Sequence, residues 1–347
     1  MAKDKKSVDF YSLLEEKFSD YYVEPTKNRK QVDVISTGSL SLDVSLGVNG
    51  LARGRFTELY GPPGAGKSTL ALCTARNAIN EGLRVLYIDA EQGIEDVLAK
   101  NILGDAFYDR NKFVWLQPNI MEEALLIAEN AILSGQFGLI ILDSIASMLP
   151  RKVKEDDLDD SNVALLARRL TVFVQRNAFN VQYNNVAFLG INQIRSKIGS
   201  YFGGWDTPGG WEWKHICSVQ IELRGGKKID VVGEEESIGI NTNFTVRKNK
   251  LASPFRGFTI PILFGKGVDY LRDVIEFSKA LGVIQVAGPY YKFEDETLGQ
   301  GMNKTLEFLN NSPEVLDKIV SLCYSTNKSN VMEVVANEEI IESGTTV

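Results

Sequence analysis

Two rhythms of apolar residues alternate along most of this chain. Arg55–Tyr60, Arg84–Asp89, Gly138–Asp143 and Val186–Ile191 are of strand length, and the third is continuously apolar, as a strand buried on both faces of a parallel sheet should be. Between these runs the spacing becomes helical. Leu70, Ala71, Cys73, Thr74 and Ala78 share a face that runs to Glu81 and stops at Gly82. Met121, Ala124, Leu125, Ala128 and Ile132 share another, with Asn119 the expected cap and Gly135 the stop. Leu166, Leu170, Phe173 and Val174 form a third, with Ser161 the expected cap. This alternation predicts an α/β core with a mostly parallel central sheet over residues 33–269.

The flanks read differently. Residues 7–22 predict an amphipathic helix with Leu14, Phe18, Tyr21 and Tyr22 on one stripe, ended by Pro25 and followed by a polar linker. Such a stripe serves equally for packing on the chain's own core or on a neighbouring subunit. Residues 270–330 predict a small α+β unit, with helices over 269–281 and 313–324 around short strands. The tail, 331–347, has four acids, no bases and no period, and is expected to be disordered.

Composition narrows the classes. At 347 residues, 44% hydrophobic and 24% charged, the chain reads as globular and long enough for two or three domains. Its net charge of −7 argues against a generally basic surface that coats nucleic acid, and leaves room for a local basic groove. Three dispersed cysteines (Cys73, Cys217, Cys323) and a single histidine (His215) cannot make the usual zinc ligand sets, and fit a reducing compartment. Residues 1–6 are charged, and the most apolar window, 138–149, is broken by Asp143 and too short for a bilayer. The expectation is a soluble cytoplasmic protein with no membrane partner.

Residues 61–68, Gly61-Pro62-Pro63-Gly64-Ala65-Gly66-Lys67-Ser68, match the phosphate-binding pattern G-x-x-x-x-G-K-[ST], and Thr69 follows. A strand precedes this loop and a helix follows it, so the helix N-terminus faces the phosphates. The glycines let backbone N–H groups close around phosphate oxygens. Lys67 brings charge to the β- and γ-phosphates, and the Ser68 hydroxyl is the expected Mg²⁺ ligand, which makes ATP and Mg²⁺ the expected cofactors. Asp143 ends an apolar strand, where a carboxylate can hold the Mg²⁺ shell or merely cap a turn. Glu91 follows the strand that ends at Asp89 and can activate water, although Asp89, Glu95 and Asp96 compete for that role by position. Asn192 and Gln193 close another strand, where an amide can sense a γ-phosphate or simply satisfy the strand end.

Residues 194–213 form the second signal. A loop of this length is uncommon unless functional or disordered. It holds five glycines, the bases Arg195 and Lys197, the flat side chains of Tyr201, Phe202 and Trp205, and also Trp211 and Trp213. Bases beside aromatic platforms suit single-stranded nucleic acid, while the same aromatics can also pack on a core or a subunit. Lys248 and Lys250 make a basic cluster that is a solvated face or, in a multimeric ATPase, a hand reaching a neighbour's γ-phosphate.

Taken together these motifs resemble the bacterial RecA recombinases from about Ser36 to Pro313. The resemblance rests on Ser36-Thr37-Gly38-Ser39-Leu40-Ser41-Leu42-Asp43, the phosphate loop, Asp89-Ala90-Glu91, Leu142-Asp143-Ser144, Asn192-Gln193-Ile194-Arg195, Lys248-Asn249-Lys250 and Gly299-Gln300-Gly301, in the family's order and spacing. It implies a RecA-like P-loop ATPase core, an N-terminal helical arm for oligomerisation over 1–32 and a small α+β C-terminal domain over 270–330. Glu91 is then similar to the catalytic base, Gln193 to the γ-phosphate switch, and Lys248 and Lys250 to residues that reach ATP on the next subunit. Residues 151–164 and 194–210 look like the two DNA-binding loops, with Arg168 just after the first, and the implied DNA contacts are Arg168, Arg195, Lys197, Tyr201, Phe202 and Trp205. The implied activity is a DNA-dependent ATPase that forms helical filaments on single-stranded DNA, pairs it with homologous duplex and exchanges strands in recombination and repair.

Some positions depart from the pattern. Leu98 stands where a tyrosine against adenine is usual, Gln92 where a histidine is common, and His215 where an interface phenylalanine is common; the second loop is richer in tryptophan. These departures fit a divergent member, from a cell or a virus. A hexameric helicase on the same core and an ATP-gated regulatory scaffold remain the other readings. A relative with a zinc finger and a protease-like domain is disfavoured by the missing cysteines and the length.

Overall fold

In the computed structural model, which describes residues 32–151, 162–196, 205–230 and 236–326, the apolar runs become strands of one large sheet. The expected helix over 7–22, the acidic block 155–160, the Ser161 cap and the tail 331–347 lie outside the described residues. The chain enters through β1 (Val34–Ile35), α1 (Leu40–Leu46) and β2 (Leu51–Ala52), with β1 and β2 paired antiparallel. The core then runs β3 (Arg55–Gly61), α2 (Lys67–Asn80), β4 (Val85–Asp89), α3 (Asp96–Leu103), β5 (Phe113–Leu116), α4 (Met121–Ser134), β6 (Leu139–Asp143), α5 (Asn162–Tyr183) and β7 (Ala187–Gln193). A short antiparallel pair, β8 (Arg195–Ser196) and β9 (Trp205–Asp206), leads into α6 (Gly210–Ile216). Four strands follow: β10 (Val219–Ile229), β11 (Gly239–Asn249), β12 (Gly257–Leu263) and β13 (Gly267–Val268). The chain continues through α7 (Tyr270–Ala280), β14 (Gln285–Ala287), β15 (Tyr290–Phe293), β16 (Glu296–Gln300), α8 (Gly301–Asn311) and α9 (Pro313–Ser325).

The large sheet has the order β13-β12-β11-β10-β3-β7-β6-β4-β5. From β10 to β5 every neighbouring pair is parallel, and from β10 to β13 the pairing is antiparallel. The sequence predicts strand–helix alternation as far as about residue 265; the meander β10–β13 replaces its last part. Its period-two signature is visible in Val219, Ile221 and Leu223, all buried, alternating with Gln220, Glu222 and Arg224.

Side-chain alternation along the strands sorts the core into two faces. Leu59, Val85, Tyr87, Leu139, Ile141, Leu189 and Ile191 face α2 and α3. Phe56, Leu86, Ile88, Ile140, Leu142 and Phe188 face α4, α5 and the buried Trp213 of α6. The predicted inward residues of α5, Leu166, Leu170, Phe173 and Val174, are all buried on this second face. The α4 cap differs from expectation: the N-cap is Ile120, with no side-chain bond, because Asn119 Oδ1 is already accepting from Gln92 Nε2 at 2.6 Å.

A third cluster joins α7, α8, α9 and the sheet β14-β15-β16 with Leu40 and Val44 of α1. Two buried carboxylates sit at that junction, and Asp273 bridges it. Asp43 accepts from Ser36 Oγ (2.7 Å) and from Thr37 N (2.9 Å) and Oγ1 (2.6 Å). Asp273 accepts from Ser39 Oγ (2.9 Å), Ser41 N (3.1 Å) and Ser41 Oγ (2.6 Å). Burial, only partly offset by these bonds, pushes Asp43 up to about 7 and Asp273 up to about 6. Among the described residues no helix is long and apolar enough to cross a membrane.

Candidate active site

The parallel topology sets four strand ends in a row. In register, Gly61 of β3 lies opposite Gln193 of β7, and Asp143 of β6 lies opposite Asp89 of β4, so all four carboxyl ends open onto the phosphate loop. Between Gly61 and α2 the loop turns on glycine. Gly66 has φ 82 and caps α2, a left-handed conformation that a side chain would strain, and a Cβ placed on it would also press on Ile262 Cδ1 at 2.4 Å. No side chain caps α2, which leaves its first-turn N–H groups facing the loop.

Lys67 is buried, and its Nζ donates to the carbonyls of Gly61 (3.0 Å) and Pro62 (2.7 Å). Burial pushes its ammonium below the ordinary value, while Asp143 and Glu91 pull the other way. Ser68 Oγ donates to Asp143 Oδ2 at 2.6 Å, and Tyr87 OH donates to the same oxygen at 2.7 Å. Burial lifts the Asp143 carboxyl to about 6 against these two bonds. A hydroxyl and a carboxylate brought this close beside a helix N-terminus are hard oxygen donors of the kind Mg²⁺ takes together with phosphates. Among the described residues no group of three or more His, Cys, Asp or Glu could hold a metal ion, and Ser68 and Asp143 would offer two protein oxygens to an ion that also takes phosphate oxygens. Both groups, triphosphate and Mg²⁺, therefore fit the residues present.

Backbone N–H groups of Ala90 (2.6 Å) and Glu91 (3.1 Å) donate to the Asp143 carbonyl, which fixes Glu91 beside the end of β6. The exposed Glu91 carboxylate then accepts Gln193 Nε2 through both oxygens, each at 3.1 Å. Of the competing acids, Asp89 is fully buried and bonded to Gln117 Nε2, while Glu95 and Asp96 sit exposed at the start of α3. Gln193 runs directly into the segment that holds Arg195, whose Nη2 donates to the Ala146 carbonyl at 3.2 Å.

With this geometry in place, residues 12–269 match the RecA N-terminal domain and residues 272–324 match the RecA C-terminal domain. The chain belongs to the RecA family. Protein RecA of Thermus aquaticus is 38% identical over 290 residues, 83% of this chain and 84% of that protein. Protein RecA of Clostridioides difficile is 35% identical over 321 residues, 91% of this chain and 87% of that protein. The crystal structure of the RadB recombinase is alike in fold, with a TM-score of 0.51 at 21% identity over 67% of this chain and 98% of that one.

Within this RecA-family frame the other predicted residues are distributed unevenly. Pro62, Pro63, Gly64, Ala65 and Thr69 lie on the loop and the first turn of α2. Lys248 and Lys250 are directed at the C-terminal end of α6: Lys248 Nζ donates to the Lys214 and His215 carbonyls and Lys250 Nζ to that of His215 (2.7 Å). Arg168 and Trp205 are exposed, while Lys197, Tyr201 and Phe202 lie outside the described residues, as does most of the first predicted DNA loop. Leu98 packs partly buried against the α2–α3 core, and the His215 ring lies against Trp211.

The long loop expected over 194–213 is shorter than its sequence suggested. Its last residues form α6, and Trp213 is fully buried whereas Trp205 and Trp211 are 59% and 77% exposed. Sequence reasoning also passed over Tyr87, although it sits in a predicted strand two residues before Asp89. It passed over Arg224 and Arg247 as well, which clasp the Glu222 carboxylate at 2.7 and 2.6 Å and border a cavity with Trp205, Lys214 and Tyr60. Arg224 was visible as the polar phase of an alternating strand; the reach of Arg247 from β11 to Glu222 was not.

Proposed function

We propose that this RecA-family chain is a DNA-dependent ATPase that polymerises on single-stranded DNA and promotes homologous pairing and strand exchange. The observation that carries this reading is the continuity from Lys67, Ser68 and Asp143 through the Glu91–Gln193 contact into the Arg195–Trp205 segment. Lys67 supplies a point charge to the β- and γ-phosphates, and the α2 N-terminus adds its N–H groups. Ser68 and Asp143 would hold the metal, and Tyr87 fixes the Asp143 carboxylate for that task. A Mg²⁺ held there would supply positive charge to offset that of the phosphates.

Glu91 takes the proton of the attacking water as its oxygen bonds to the γ-phosphorus and the bond to the bridging oxygen breaks. Gln193, the partner of Glu91, registers the γ-phosphate and passes its state to the adjoining segment, so ATP favours the DNA-holding form and hydrolysis loosens it. Lys248 and Lys250 complete the site from a neighbouring subunit, which makes a filament the active assembly. Arg168, Arg195 and Trp205 contribute the described part of the DNA surface.

Lys67→Ala tests this reading: ATP turnover stimulated by single-stranded DNA should fall to background. Electron micrographs with single-stranded DNA and a non-hydrolysable ATP analogue should show helical filaments for the unsubstituted chain. Unchanged turnover in the variant, or closed rings without filaments, would sink it.

A further inference from the structure

Gly190 of β7 has no conformational reason to be glycine; the reason is space. A Cβ built there would stand 2.4 Å from Trp213 Cζ2, 2.7 Å from Cη2 and 2.9 Å from Ile145 Cδ1. The Trp213 indole fills this notch completely. It is 0% exposed, edge-on to Phe56 (6.0 Å, 85°) and Phe188 (6.2 Å, 69°), and its Nε1–H has no hydrogen-bond partner among the described residues. A buried indole with an orphaned donor is retained for its shape.

The notch sits three residues before Gln193, and the knob belongs to the helix that follows the Trp205–Asp206 strand. Other bonds bind the same two pieces. Asn192 Nδ2 donates to the Pro208 carbonyl and to Glu58 Oε1, both at 2.8 Å. Lys214 pairs with Asp206. A Cβ on Gly210 would lie 2.9 Å from Ala167 Cβ, so α6 also abuts α5 next to Arg168. The end of β7, β9, α6 and the start of α5 are thus one interlocked block.

We propose that Trp213, seated in the Gly190 notch, is a positioning residue that couples the carboxyl end of β7 to β9 and α6. Movement at Gln193 then reaches Trp205 and Arg168 as displacement of a rigid body, and DNA affinity follows the nucleotide. This coupling rests on the function proposed above. Interfaces packed this tightly pass small shifts as discrete rearrangements and do not absorb them.

The test is the ratio of affinities for a labelled oligo-dT strand, read by fluorescence anisotropy, with a non-hydrolysable ATP analogue and with ADP. Gly190→Ala should lower that ratio about tenfold, while ATP affinity without DNA stays within about twofold. Adding Trp213→Leu to Gly190→Ala removes the ring atoms that meet the new methyl and should restore most of the ratio. Trp213→Phe, which keeps an aromatic ring in a part-filled notch, should give an intermediate value at a temperature where it is folded. A Gly190→Ala ratio equal to that of the unsubstituted chain, with only a lower melting temperature, would overturn the coupling and leave the function standing. An unsubstituted chain that binds DNA equally in both nucleotide states would overturn the function and the coupling with it.

Discussion

Glu91 presents both carboxylate oxygens to the Gln193 amide, and its backbone is tied to the Asp143 carbonyl, so its place beside the phosphate loop does not depend on a flexible loop. Glu91→Gln keeps the size and an acceptor for Gln193 and removes the base. The rate of ATP hydrolysis should drop by about 10²–10⁴-fold, with nucleotide affinity changed only a few-fold, as turnover and equilibrium binding assays would read. A surface glutamate would leave both unchanged. The strand-end positions of Asp143 and Glu91 were legible in the sequence, because one closes an apolar run and the other lies just past one, but periodicity alone did not separate Glu91 from Asp89, Glu95 and Asp96. Tyr87 was not, since an apolar strand gives no hint of which side chain reaches across to the neighbouring strand's last residue.

The elements that follow β7 separate two kinds of tryptophan that the sequence places within nine residues of each other. Trp205 on β9 is exposed and beside Lys214, Arg224 and Arg247, whereas Trp213 on α6 is core. Trp205→Ala should weaken single-strand binding by about 1–3 kcal/mol, measured by titration with an oligonucleotide, and should leave the melting temperature nearly unchanged. Equal affinity would remove the stacking role. Local composition could not divide these residues: five glycines and two bases gave the whole stretch the look of a loop, and only the glycine on a distant strand, Gly190, marks which ring goes inward. Asn119 shows the same limit on a smaller scale. It has the right chemistry for a cap, but its side chain is committed to Gln92, and α4 starts without one.

At the scale of the whole chain, α1 is held to α7 by Asp273, which accepts from Ser39 and Ser41. The charge of Asp273 raises Asp43, itself bonded to Ser36 and Thr37. Asp43 and Asp273 are both buried beside Tyr270 and Tyr324. An exposed aspartate titrates near 3.8, whereas these titrate near 7 and 6. The folded chain therefore keeps protons that the unfolded chain releases. The stability they contribute is complete below the unfolded value and is lost as pH rises through 6 to 7. Urea midpoints should accordingly fall between about pH 4 and pH 7 and level off above that, and the fall should shrink in Asp43→Asn, whose amide carries no charge to bury. An identical slope in the variant would assign the pH dependence to other groups. The α/β class and the α5, α4 and α2 faces were legible as periodicity. The antiparallel meander and α8 were missed, because pairing partners and the choice between a short helix and a turn are settled by tertiary packing.

The strand order has a further consequence in time. β3 and β4 are consecutive in the sequence, yet β7 and β6 lie between them in the sheet. A chain emerging from the ribosome makes its phosphate loop early but cannot give it neighbours until β6 and β7 have emerged and slotted into the gap. Until then β3 and β4 present bare edges to the cell. The strand ends around the nucleotide site are therefore incomplete until β7 joins the sheet, and the last residue of β7 is Gln193, so the site and the residue that answers to it come into being together.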